Sequence, residues 1–106
     1  MIITTTSSVE GKRIIRYLGV VAGEAVIGSN LFDDLFGSIK GVVGGRTARF
    51  EQALINARNL ALKELEQNAA DLGANSVVGV DLDYEVLGAG SVILMVIANG
   101  TAVEVA

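Results

Sequence analysis

Three carboxylates stand at alternate positions, Asp81, Asp83 and Glu85, in the run Val78-Gly79-Val80-Asp81-Leu82-Asp83-Tyr84-Glu85. On a strand, alternate side chains share a face, roughly 6.5–7 Å apart. Two carboxylates so placed can hold a hard divalent cation through oxygen, with backbone and water completing the shell. Three like charges in a row also repel one another. Water and salt, a cation, or Arg13 or Arg16 on another strand would offset them, so a solvated or ion-paired face and a metal site are both open readings.

A second stretch with chemical content is Gly41-Val42-Val43-Gly44-Gly45-Arg46-Thr47. Glycine-rich backbone at a helix N-terminus offers free N–H groups and a positive dipole to an anion. Gly44, Gly45 and Arg46 are the candidate anion-binding residues. The spacing is not that of a phosphate loop, which needs Gly where Lys40 stands and Lys where Arg46 stands. A plain turn between two helices is the competing reading. Catalysis finds little support. The chain has no His and no Cys, which removes the commonest general base and the thiolate nucleophile. Ser7, Ser8, Ser29, Ser38, Ser76 and Ser91 have no base at a recognisable spacing. Glu24 and Asp81 would serve a paired-carboxylate mechanism only if the fold brought them together. The expectation is a protein that is not an enzyme.

The element that must position these residues is a long amphipathic helix over residues 47–72. Phe50, Leu54, Ala57, Ala61, Leu65, Ala69 and Leu72 recur at steps of three and four, with Arg49, Glu51, Arg58, Lys63, Glu66 and Gln67 opposite. Residues 73–75, Gly-Ala-Asn, end it. Strands are expected over residues 2–6, 13–27, 76–86 and 91–105. The second bends at Gly19 or Gly23. It places Ile15, Tyr17 and Val21 on one face and Leu18, Val20 and Ala22 on the other. The third alternates, with Val78, Val80, Leu82 and Tyr84 opposite Gly79, Asp81, Asp83 and Glu85. Residues 87–90 form a hairpin turn. In the last strand Ile93, Met95 and Ile97 face one way and Val92, Leu94, Val96 and Ala98 the other. A shorter helix is expected from Asn30 to about Val43, with Gly44-Gly45 closing it. This order reads as a two-layer α+β domain over residues 1–106, an antiparallel sheet with helices on one face.

Composition narrows the partners. The net charge is −4, which disfavours nucleic acid. The longest apolar run, residues 92–98, falls well short of the roughly 20 needed to span a bilayer, and residues 1–6 lack the pattern of a signal peptide. A soluble cytoplasmic protein that binds neither nucleic acid nor membrane is the expectation. Half of the residues are hydrophobic (51%) and only 19% are charged, below the usual quarter. The strands 13–27 and 91–105 are apolar on both faces, and a chain of 106 residues has too few helices to cover both sides of its sheet. The surplus face should therefore meet another subunit.

Tyr17-Leu18-Gly19-Val20-Val21-x-Gly23-Glu24, Gly44-Gly45-Arg46, Ala57-Arg58, Leu72-Gly73-Ala74-Asn75, Val78-Gly79-Val80-Asp81-x-Asp83-Tyr84-Glu85 and Gly100-Thr101-Ala102-Val103 together resemble the YbjQ family of small bacterial and archaeal proteins, over essentially the whole chain. The resemblance implies a dodecin-like two-layer subunit assembled with itself into a ring-shaped homopentamer. It also carries a heavy-metal-binding label. Soft metals prefer thiolate or imidazole, which this chain lacks. The cofactor is left unspecified beyond a divalent cation held by Asp81, Asp83 and Glu85. No Trp is present, so flavin stacking is not carried over from dodecins. Two further readings stay open: a scaffold or binding module of unassigned ligand, and an anion or small-metabolite binder at Gly44, Gly45 and Arg46.

Overall fold

The computed structural model describes residues 1–27, 43–87 and 93–106. The expected short helix, the tip of the hairpin at residues 88–90 and the start of the last strand at Ser91 and Val92 lie outside the described residues. The elements are β1 (Ile2–Ile3), β2 (Ile14–Ile27), α1 (Val43–Asp71), β3 (Ser76–Leu87) and β4 (Ile93–Val105). They build one sheet in the order β1-β3-β4-β2. β1 runs parallel to β3, and β4 is antiparallel to both of its neighbours. The sheet is therefore mixed. α1 lies across one of its faces, over β2 and β4, with little contact to β3.

A stripe of residues spaced by four explains how α1 sits. Ala53, Ala57, Ala61, Leu65 and Ala69 are all buried, and residues spaced by four fall along one side of a helix. Because four of the five are alanine, the helix axis can come very close to the sheet. Gly23 of β2 receives it: a Cβ there would overlap the carbonyl oxygen of Ala61 and the amide nitrogen of Leu65. Leu65 fills the centre of the core beside Val77, Leu94 and Val96. Leu72, placed on the apolar face by its spacing, is exposed.

The start of α1 differs from expectation. The helix begins at Val43, so Gly44 and Gly45 lie in its first turn and do not form a turn ahead of it. First-turn N–H groups have no intrahelical acceptor in any helix, and no proline intervenes. Glycine here costs propensity, at most ~1 kcal/mol each relative to alanine, without breaking the helix. The other end is as the sequence indicates. Ala74 N–H donates to the Ala69 carbonyl at 3.1 Å and Gly73 N–H to the Ala70 carbonyl at 2.9 Å. This paired arrangement closes a helix at glycine.

Irregularities in β3 and β2 set which side chains share a face. In β3 the register slips between Val78 and Asp81, where Gly79 takes φ 62, a conformation that side chains resist. The extra residue reverses the alternation. Val77 and Val80 both join the core under the helix, while Val78 packs with Val103 and Val105 on the far side. The expected grouping of Val78 with Val80 is thus corrected. In β2 the register slips twice, between Ile14 and Arg16 and between Tyr17 and Gly19. Leu18 packs toward the helix, and Tyr17 pairs with Val103 on the same face as Val20. Tyr17 and Val20 thus share a face, in place of the opposite faces that simple alternation predicts. Of the two glycines expected to bend this strand, Gly19 marks the slip and Gly23 makes room for α1.

One end of the sheet gathers both chain termini. Thr4 N–H bonds the Val77 carbonyl, and Val80 and Gly79 donate to the carbonyls of Thr4 and Thr6. The N-terminal segment, which has strand geometry only at Ile2–Ile3 and not through Thr6, thereby runs along the lower edge of β3. Ser76, fully buried, donates its hydroxyl to the Ile2 carbonyl at 2.7 Å. Asn75 holds the end of β4 with two bonds: its Nδ2 donates to the Val105 carbonyl at 2.9 Å, and Val105 N–H donates to its Oδ1 at 2.8 Å. Arg13 and Ala106 exchange backbone bonds of 3.0 Å in both directions.

Candidate functional site

The helix covers one face of the sheet, and the carboxylates lie on the other. Asp81, Asp83 and Glu85 are paired in register with Asn99, Ile97 and Met95 of β4, and all three are exposed. Alternation puts them on one face, and the bulge at Gly79 makes that the face away from the helix. The register through β4 adds a fourth acid. Glu24 of β2 pairs with Ile97, as does Asp83 from the opposite side, so the two carboxylates stand level with each other, roughly 9.5 Å apart across two strand spacings. Glu24 was weighed in the sequence only as a catalytic partner for Asp81. Its place on this face depends on long-range pairing that no local pattern reveals.

The four carboxylates do not converge. Ile97 stands between Glu24 and Asp83, and the row on β3 is spread along its strand. Among the described residues, no group of three acidic, His or Cys side chains comes together as a metal site. Of the two arginines that could offset them, Arg16 is engaged elsewhere: its Nη2 lies 3.3 Å from Glu104 Oε2. Among the described residues, none of the four acids forms an ion pair. The arrangement is a water-facing acidic margin on either side of a central apolar row, Ile93, Met95 and Ile97, which is half-buried.

Gly44, Gly45 and Arg46 are placed by backbone in the first turn of α1. That end of a helix carries unsatisfied N–H groups and the positive pole of the dipole. It lies on the helix layer, so the two candidate sites are not parts of one centre.

A groove that no sequence motif marked runs between the outer edge of β2 and the flank of α1. As bounded by the described residues, its volume is about 550 Å³, with Ala25, Ile27, Ala57 and Leu60 as apolar lining and Lys63 and Gln67 at its rim. A smaller groove on the opposite flank lies between Tyr84 of β3 and Leu54, Ile55 and Arg58 of α1. Neither contains the acidic row. Among the described residues, no helix is long and apolar enough to cross a membrane.

Comparison with known proteins bears on the fold and on the class of function. The model of the YbjQ family, described as "Putative heavy-metal-binding", matches residues 1–106. The structure is similar to the crystal structure of a protein of unknown function from Pediococcus pentosaceus, assigned to the family of unknown function DUF74, which is the same family. The TM-score is 0.64 at 21% sequence identity, covering 100% of this chain and 98% of the other. At that identity the likeness speaks for the fold.

Proposed function

Because the chain belongs to the YbjQ family, we propose that it acts as a non-catalytic, self-associating module, a scaffold or binding domain that assembles as a homopentameric ring. The family is of unknown function and carries no assigned reaction. The observation that carries the reading is the distribution of exposed apolar side chains. Tyr17 is 71% exposed, Val20 81%, Leu60 61% and Val86 62%. Soluble monomers seldom leave so many large apolar groups in water on a domain of this size. Light scattering coupled to size exclusion at micromolar concentration tests it. A mass near five times that of the 11.0 kDa chain is expected. A mass equal to one chain overturns self-association, and a closed assembly of another number overturns the pentamer alone.

A second reading follows the family's description. Soft heavy metals do not fit this donor set, since the chain has no Cys and no His. A hard divalent cation held by two neighbours among Asp81, Asp83 and Glu85 does fit. The exposure of these carboxylates on one face without ion pairs among the described residues favours it. Calorimetry with calcium, magnesium, manganese and zinc should give heat for the wild type and none for Asp81→Asn combined with Asp83→Asn. Silence from the wild type overturns it. An anion or phosphorylated metabolite at Gly44, Gly45 and Arg46 is the third reading, supported by the position of these residues at the start of α1.

A further inference from the structure

We infer that the upper part of the open sheet face docks a basic amphipathic helix of a partner protein, laid along β4 with its lysine or arginine side chains over the acidic margins. The inference rests on the binding-module reading proposed above and names the class of partner and the surface that would take it.

The two ends of the open face differ. At the lower end the N-terminal segment lies on it, and Val9 packs with Val78, Val103 and Val105. At the upper end, away from the chain termini, an apolar strip stands with acids beside it. Ile93, Met95 and Ile97 of β4 are half-buried. Val26 of β2, level with Met95, is 59% exposed. Asp81, Asp83 and Glu85 line the β3 side of this strip, and Glu24 lines the β2 side. All four acids are exposed, and none is ion-paired among the described residues.

Charge decides what can lie there. Carboxylates on both margins repel nucleic acid and anionic lipid surfaces. A second copy is a poor match as well: over residues 51–71, α1 carries Glu51, Glu64, Glu66 and Asp71 against Arg58 and Lys63. The row on β3 is spread along its strand, so it suits separate cationic groups at regular intervals.

Spacing and backbone chemistry decide the conformation of the occupant. Alternate residues of a strand stand roughly 6.5–7 Å apart. Positions four apart on a helix rise about 6 Å along its axis and share one side. Lysines or arginines at every fourth position down one flank therefore meet Asp81, Asp83 and Glu85 in turn. The apolar stripe next to them falls on the strip between the margins. Their methylene stems cover the rim of that strip while the charged heads reach the carboxylates. An extended peptide matches the spacing too, but it would press its own N–H and C=O groups against apolar side chains without partners. A helix satisfies those groups internally. Recognition of this kind reads an apolar helix face through anchors at steps of three and four.

The probe is a labelled synthetic peptide of leucine and lysine, patterned as a helix with a leucine stripe and a lysine at every fourth position along one flank. Fluorescence anisotropy with the wild type should show binding that weakens as salt is raised. A peptide of the same composition in scrambled order should bind about tenfold less tightly, since it offers charge without a stripe. Asp81→Lys combined with Asp83→Lys should weaken binding of the patterned peptide by about tenfold, and Ile97→Asp should do the same, with circular dichroism unchanged in both. If Ile97→Asp unfolds, the charge-reversed protein, altered only at exposed positions, still decides. Equal binding of the two peptides overturns the inference, because charge alone would then suffice. Binding that neither variant weakens places the contact elsewhere and overturns this face while leaving the binding-module reading in place, and so does failure of the wild type to bind the patterned peptide. A folded Ile97→Asp protein of lower mass in light scattering overturns it in favour of another copy on this face.

Discussion

Gly23 is the residue whose replacement should be felt most for its size. Adding a single methyl group drives it into the backbone of α1 at Ala61 and Leu65, which cannot rotate aside. Gly23→Ala should cost about 3 kcal/mol, the upper part of the range for overpacked sites, read as a lower urea midpoint with an unchanged slope. Leu65→Ala, at the centre of the core, should cost about 2–5 kcal/mol in the same assay. Gly79 acts differently. No atom lies within 4 Å of where its Cβ would be, so Gly79→Ala should cost only the conformational strain, about 1 kcal/mol. What this glycine controls is the direction of every side chain after it in β3. The strict alternation read through residues 78–85 overlooked that control, although an isolated glycine in a strand pattern is a known sign of a bulge. Asp81, Asp83 and Glu85 were still grouped correctly, because all three lie beyond the slip.

At the scale of elements, the long helix, the last three strands and the turn at residues 72–75 were legible because each has a periodicity or a stop signal of its own. The faces of β2 were not. Two slips and a glycine that accommodates a helix look alike in sequence, and only the register against β4 separates Gly19 from Gly23. The start of α1 was misread for a related reason. A glycine pair is a strong sign of a turn, yet the first turn of a helix tolerates it. The anion proposal now concerns a helix end whose N–H groups Gly44 and Gly45 supply, with Arg46 beside them. Added phosphate should raise the melting temperature of the wild type, and less so that of Arg46→Ala. Equal shifts in the two proteins would leave these residues a purely structural role. Asn75→Ala removes both bonds that hold Val105 and should cost about 2 kcal/mol, with faster amide exchange confined at first to the end of β4.

For the whole molecule, the two faces and two edges of one sheet predict different fates for the same substitution. Leu94 is buried beneath α1, so Leu94→Asp should abolish the fold, seen as loss of circular dichroism. Val86→Asp places the same charge on an exposed edge. It should leave the secondary structure intact and lower the mass in light scattering. If Val86→Asp unfolds the chain instead, Val86 belongs to the core and not to a contact between copies. The gathering of both termini at the lower end of the sheet has a consequence for how such an assembly could be used. Met1 and Ala106 lie beside the ends of β1, β2 and β4 that are tied by Ser76, Asn75 and Arg13. A passenger domain tethered to either terminus would stand at that end, away from the far ends of β2 and β3 at Ile27 and Leu87, and in the proposed ring every copy would present its passenger on the same rim.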